Sequence, residues 1–127
     1  MEELKFYRCE KCGNIVTKII NGGPALFCCG EKMTELIADS SDGAAEKHVP
    51  VINIDGEVVT VKVGEVPHPM LDEHYIQWVC LHTEHGFSIV DLKPGDAPEA
   101  IFALAADDRV IEAFAYCNIH GLWVSKL

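Results

Sequence analysis

Cys117 and His120 stand three positions apart near the end of the chain, and a thiolate and an imidazole at that spacing on a turn can grip one transition metal. Cys9, Cys12, Cys28 and Cys29 already supply a complete four-ligand set of their own. The later pair therefore belongs to a second site. His48, His68 and His74 are the candidates to complete it. A donor set that mixes thiolate with imidazole suits a redox metal, which points to chemistry rather than scaffolding. Four imidazoles and one thiolate would leave one of six coordination positions open.

In the first constellation, Cys9-Glu10-Lys11-Cys12 is a strong metal signal, because a tight turn ending in Gly13 lets two thiolates face one ion. Cys28 and Cys29 are adjacent, and neighbouring side chains diverge, so using both strains the tetrahedron. The spacing alone does not separate zinc from iron, nor a functional centre from a clip that only folds the segment. A vicinal disulfide at Cys28–Cys29 is a third reading.

Taken singly, a histidine is more often a surface or satisfied core residue than a ligand. Context lifts this set. His48 opens a strand pattern, and His68 sits in Pro67-His68-Pro69, whose following proline biases it towards extended backbone. His74 precedes a strand pattern that begins at Tyr75, while Cys117 and His120 follow one that ends at Tyr116. Residues at strand ends can converge on one rim of a sandwich. The other candidates take plainer readings. Cys80 shares a strand face with Trp78 and reads as a buried free thiol. His82-Thr83-Glu84-His85 has a metal-like spacing but falls in a hairpin turn, and reads as solvated. Trp78, Trp123, Phe87, Phe102 and Phe114 read as core.

The elements that must position these residues are mostly strands. Val49–Ile54 and Val58–Val63 flank Asp55-Gly56-Glu57, a hairpin signal. Tyr75–Leu81 pairs with Gly86–Leu92, Glu99–Ala105 and Val110–Tyr116 are strands joined at Asp107-Asp108, and Gly121–Leu127 closes the chain. About seven short strands with regular turns predict an antiparallel β-sandwich. Residues 1–36 form a cysteine module with too few apolar residues for a core, so metal must hold it together. Residues 37–46, small and polar, read as a linker, and residues 47–127 as the sandwich.

Composition narrows the function classes. The net charge is −10, and residues 37–127 hold fifteen acidic side chains against five basic ones. Such a domain is a poor match for nucleic acid or anionic lipid. No apolar run approaches the ~20 residues of a membrane span. The charged start Met1-Glu2-Glu3-Leu4-Lys5 lacks a signal-peptide pattern, so a cytoplasmic location is the default expectation. Six cysteines there read as ligands or free thiols.

Together, Cys9-x2-Cys12 with Cys28-Cys29, Glu46-Lys47-His48-Val49-Pro50, His68-Pro69-Met70, His74 and Cys117-Asn118-Ile119-His120-Gly121 carry a specific resemblance over essentially the whole length. The chain resembles desulfoferrodoxin, the two-iron form of superoxide reductase. The resemblance implies a desulforedoxin-like module with one iron in four thiolates, followed by an immunoglobulin-like sandwich with a catalytic iron. It implies His48, His68, His74 and His120 as equatorial ligands and Cys117 as the axial ligand opposite the open position. It implies that Glu46 can occupy that position in the oxidised state and that Lys47 attracts superoxide. Reduction of superoxide to hydrogen peroxide, a reduced donor such as rubredoxin, and a homodimer follow as further implications. A sulfur donor opposite the open position pushes electron density onto the metal, which favours electron transfer and release of product.

Two other readings compete. A blue-copper carrier also places Cys and His together near the end of a β-sandwich, but it needs a weak axial sulfur, and no Met follows His120. A zinc-clipped binding module leaves the Cys117/His120 pair unexplained.

Overall fold

Residues 3–127 are described in a computed structural model of the chain; Met1 and Glu2, where the charged start was read, lie outside them. The chain divides into two compact units, Met1–Ile37 and Ala38–Leu127.

The first unit is built from five very short strands: β1 (Phe6–Arg8), β2 (Ile15–Thr17), β3 (Phe27–Cys28), β4 (Glu31–Lys32) and β5 (Thr34–Glu35). β1 lies between β2 and β5 in one antiparallel sheet, and β3 and β4 form a hairpin. Among the described residues its buried apolar side chains are Phe6, Cys9 and Met33. Three residues are no core for a free-standing domain, as the sequence implied.

The second unit opens with one helical turn, α1 (Ala45–His48), followed by β6 (Pro50–Asp55), β7 (Val58–Val63), β8 (Ile76–Thr83), β9 (Gly86–Asp91), β10 (Glu99–Ala103), β11 (Val110–Cys117) and β12 (Gly121–Lys126). Two antiparallel sheets, ordered β10-β7-β6 and β12-β11-β8-β9, make the sandwich. The hairpin turn after β6 carries Gly56 at φ 60°, a left-handed conformation that glycine adopts without strain. Alternation along β7 sends Val59, Val61 and Val63 inward, all three with no solvent exposure. Burying each contributes about 1.5–3 kcal/mol. They meet Val79 and Leu81 of β8, Phe102 of β10, and Ala113 and Ala115 of β11.

Two expectations need correction. His48 does not begin a strand: it ends α1, closed by the Val49 N–H donating to the Ala45 carbonyl at 2.9 Å. The 37–46 segment is also not a free connector beyond Ile37. Asp39 N–H donates to the Leu122 carbonyl at 2.9 Å, and its side chain accepts from Val124 N–H at 3.1 Å. No described helix is long and apolar enough to cross a membrane.

Candidate metal centres

In the first unit the sulfurs of Cys9, Cys12, Cys28 and Cys29 lie within 4.8 Å of one another. Cys12 and Cys28 are 3.6 Å apart, and Cys28 and Cys29 are 3.9 Å apart. A tetrahedron with metal–sulfur bonds of ~2.3 Å has edges of about 3.8 Å, so the four donors fit one thiolate-bound ion. A vicinal disulfide is excluded, since bonded sulfurs sit ~2.05 Å apart. The problem of adjacent ligands is solved by the backbone: Cys29 has φ 52°, a conformation L-residues rarely adopt, and Gly30 continues at φ 76°. That left-handed step turns the second thiol back towards the first.

The electrostatics of this cluster also call for a cation. The backbone N–H of Cys12, 3.5 Å from the Cys9 sulfur, chiefly lowers the Cys9 thiol to about 6. Hydrogen bonding with Cys12 and Cys9 raises Cys28 and pushes Cys29 up to about 12. The Cys9 thiolate forms readily, and Cys28 and Cys29 resist joining it. A bound metal removes that resistance and releases the protons.

The second centre gathers at one rim of the sandwich. His48 comes from α1, His68 and His74 from the connection between β7 and β8, Cys117 from the end of β11, and His120 from the turn into β12. The donors of His48, His74, Cys117 and His120 lie within 4.8 Å of one another. His68 falls outside that mutually close set, yet its Nε2 is 3.1 Å from His48 Nε2. The rings follow one another around a loop. Centroids of adjacent pairs are 4.5 Å apart for His48–His68, 4.7 Å for His68–His74, 5.2 Å for His74–His120 and 4.8 Å for His120–His48, all edge-on. His48 and His74 face each other across the loop at 6.4 Å.

The hydrogen bonding fixes where the lone pairs point. His48 Nδ1 is 2.7 Å from the Ala44 carbonyl, and His68 Nδ1 is 2.7 Å from the Pro69 carbonyl. A carbonyl only accepts, so each Nδ1 carries the proton and each Nε2 presents a lone pair. Two lone pairs 3.1 Å apart repel unless a cation lies between them. His120 Nδ1 stands at the same 3.1 Å from His48 Nε2. A square with that edge has a half-diagonal of about 2.2 Å, close to a metal–imidazole bond. His74 Nε2 is buried with no hydrogen-bond partner among the described residues. A buried imidazole nitrogen left so is costly, and a metal ion removes the cost. The residues therefore fit a transition-metal ion.

Burial favours the neutral form of three of these rings. Desolvation chiefly lowers His48, His74 and His68, the last to about 4. His68 is thus depressed relative to the unfolded chain, which binds the proton first as pH falls. In the metal-free chain, sandwich stability should hold above about 6.5 and decline as pH falls towards about 4. Denaturation midpoints measured across that window test this; a flat profile would contradict it.

Cys117 is fully buried and accepts from the His120 backbone N–H at 3.4 Å. Glu46 and Lys47, on α1, are exposed. The positive charge of Lys47 nonetheless reaches the centre, lowering both His48 and His74. Gly64 sets the height of that turn. It is buried at φ 80°, and a Cβ there would lie 2.7 Å from Lys47 Cα and closer still to the Glu46 carbonyl. Gly64→Ala should cost about 1–3 kcal/mol in denaturant unfolding and displace Lys47.

Trp123, read as core, is indeed buried, but it also serves the centre. Its ring stacks on His48 at 4.9 Å, and its Nε1 donates to the His120 carbonyl at 3.2 Å. Sequence reasoning missed this, and also the bonds made by Asn118. Trp78, Phe102 and Phe114 are buried, whereas Phe87 is only half-buried. Cys80 is a fully buried free thiol, pushed up to about 12 by desolvation. The solvated reading holds for His85 but fails for His82. His82 lies on β8, is 8% exposed, and its Nδ1 is 2.7 Å from Glu112 Oε2 on β11.

Comparison with known proteins gives the same grouping. The desulfoferrodoxin family matches residues 40–126, and its N-terminal domain matches residues 1–36. The chain belongs to the desulfoferrodoxin family. It is 50% identical to the desulfoferrodoxin of Desulfarculus baarsii over 127 residues, covering 98% of each chain. The crystal structure of the superoxide reductase from Treponema pallidum superposes with a TM-score of 0.84 at 42% identity, covering 98% of this chain and all of that one. A superoxide reductase from Giardia intestinalis matches 65% of this chain and 97% of its own, with a TM-score of 0.55 at 31% identity.

Proposed function

We propose that this chain is a superoxide reductase. It transfers one electron to superoxide, which takes up two protons and leaves as hydrogen peroxide. The carrying observation is the ring of four imidazoles with a buried cysteine, in which the lone-pair-bearing Nε2 atoms of His48 and His68 stand 3.1 Å apart and His74 Nε2 has no partner among the described residues. The chain carries two irons. Cys9, Cys12, Cys28 and Cys29 hold one; His48, His68, His74, His120 and Cys117 hold the other. Iron at the second centre supplies the electron by cycling between ferrous and ferric states.

The chain's own residues do the rest. Lys47 draws the anion towards the rim against the domain's negative charge. Glu46, the neighbouring residue on α1, would replace departing product in this reading. Cys117 lies on the core side, where no anion can approach, and donates charge from its thiolate. The His120 N–H moderates that donation by bonding to the sulfur. The Nδ1–H bonds to Ala44 and Pro69 lock two rings in orientation and raise their donor strength.

The division of labour follows the sequence reading: a cysteine module at residues 1–36 and a catalytic sandwich ending at Leu127. The six free cysteines suit a reducing cytoplasm. The electron donor is a small redox protein, rubredoxin in our reading. Reduced rubredoxin should be oxidised one-for-one with superoxide supplied; no donor oxidation would contradict this. The cysteine module exposes Ile19, Ile20 and Phe27 by 74%, 78% and 69%, an apolar surface suited to a homodimer. Metal analysis tests the assignment as a whole. Two irons per chain are expected, whereas one copper or one zinc would favour a carrier or a binding module.

A further inference from the structure

β8 and β11 run antiparallel, and their ladder ends where Cys117 pairs with Ile76. The next residue, Asn118, donates from its backbone N–H to the Tyr75 carbonyl at 3.2 Å. Beyond it the chain must turn away, because His120 has to come back to the centre. The backbone partners that a continued ladder would supply to residues 73–75 are therefore missing. The Asn118 side chain takes their place. Its Oδ1 accepts from Tyr75 N–H at 2.9 Å, and its Nδ2 donates to the Glu73 carbonyl at 3.1 Å. A primary amide offers one acceptor and two donors, so it can stand in for a peptide group.

The two bonded groups belong to the peptide units on either side of His74. This matters for how the His74 ring is held. His48 and His68 are anchored through Nδ1 to carbonyls, and His120 follows Cys117 in the same short turn. His74 Nε2 is buried with no hydrogen-bond partner among the described residues, and its own turn carries backbone bonds between Leu71 and His74.

We propose that Asn118 is the positioning residue for His74, clamping the peptide groups on both sides of it to the turn that bears Cys117. One amide thus ties the turn bearing His74 to the turn bearing Cys117. The inference rests on the reading of His74 and Cys117 as metal ligands. It predicts that losing the clamp lowers affinity at the His/Cys centre and spares the four-cysteine centre.

The test uses the full chain, stripped of metal and titrated with ferrous iron against a chelator. Asn118→Ala should weaken the His/Cys centre about 10–100-fold, the usual effect of losing an outer-shell partner. Iron in the four-cysteine centre should remain as in the parent, an internal check on folding. The thiolate-to-ferric absorption band of the loaded, oxidised chain should shift. Asn118→Asp, which keeps the bond to Tyr75 but sets an oxygen against the Glu73 carbonyl, should be impaired as well. Parental affinity and an unmoved band in both Asn118 variants, with His74→Ala impaired, would overturn the clamp alone. Parental affinity in His74→Ala would instead overturn the ligand reading and the proposal with it. An Asn118→Ala sandwich that loses denaturant stability without metal in proportion to its affinity would also overturn it, by showing a general structural role.

Discussion

Cys117→Ser should abolish peroxide production from superoxide while the sandwich still folds. The thiol is fully buried in the cluster that holds Val63, Ile76 and Ala115, so serine substitutes a smaller polar atom there. The backbone N–H of His120 still has an oxygen to bond, which limits the structural cost. The electronic cost is different in kind. A neutral hydroxyl cannot donate charge as a thiolate does, and it leaves the centre with four neutral imidazoles and one more unit of positive charge. Electron release to superoxide then becomes less favourable. The loss should exceed the roughly 10–100-fold penalty of removing an outer-shell partner. Stopped-flow mixing of superoxide with the reduced variant checks it, with denaturant unfolding as the control for folding. Near-normal turnover would remove Cys117 from its assigned role.

Lys47→Ala should slow the second-order reaction by about tenfold and flatten its dependence on ionic strength. Lys47 is exposed, so its removal should change stability little. Its charge is felt at His48 and His74, which places it in the field that an approaching anion crosses. The rest of the unit is strongly acidic and repels superoxide at longer range. Where the local attraction of Lys47 outweighs that repulsion, added salt should slow the parent reaction, and without Lys47 that dependence should flatten. An unchanged rate and slope would make Lys47 an ordinary surface residue. Gly64→Ala should show a weaker form of the same kinetic defect, because it displaces the turn rather than removing the charge.

Much of this was legible in the sequence, for identifiable reasons. Val59, Val61 and Val63 alternate so cleanly that β7 could be bounded to the residue, and Gly56 marks its hairpin. Cysteines and histidines are scarce and chemically distinctive, so both donor sets could be named before their convergence was known. What stayed hidden depended on partners distant along the chain. His82 looked solvated because its partner, Glu112, lies 30 residues on, on a neighbouring strand. His48 looked like a strand start because a single helical turn offers too few residues for a periodicity. Asn118 looked like a spacer in the Cys117–His120 motif. Its two partners lie 43 and 45 residues earlier, and only the register of β8 against β11 brings them within reach. Trp123 looked like core because it is core; its stacking on His48 adds a role that burial alone does not reveal. The adjacent cysteines posed a geometric problem that the sequence raised without solving. The answer is the left-handed backbone at Cys29.

The most direct test of the central claim is a stoichiometric one. Superoxide is added to a known amount of fully reduced protein, and peroxide and molecular oxygen are both measured. Reduction at the His/Cys centre predicts one peroxide per superoxide consumed and no oxygen formed from superoxide. Oxygen and peroxide in equal amounts would mean dismutation, and would contradict the account.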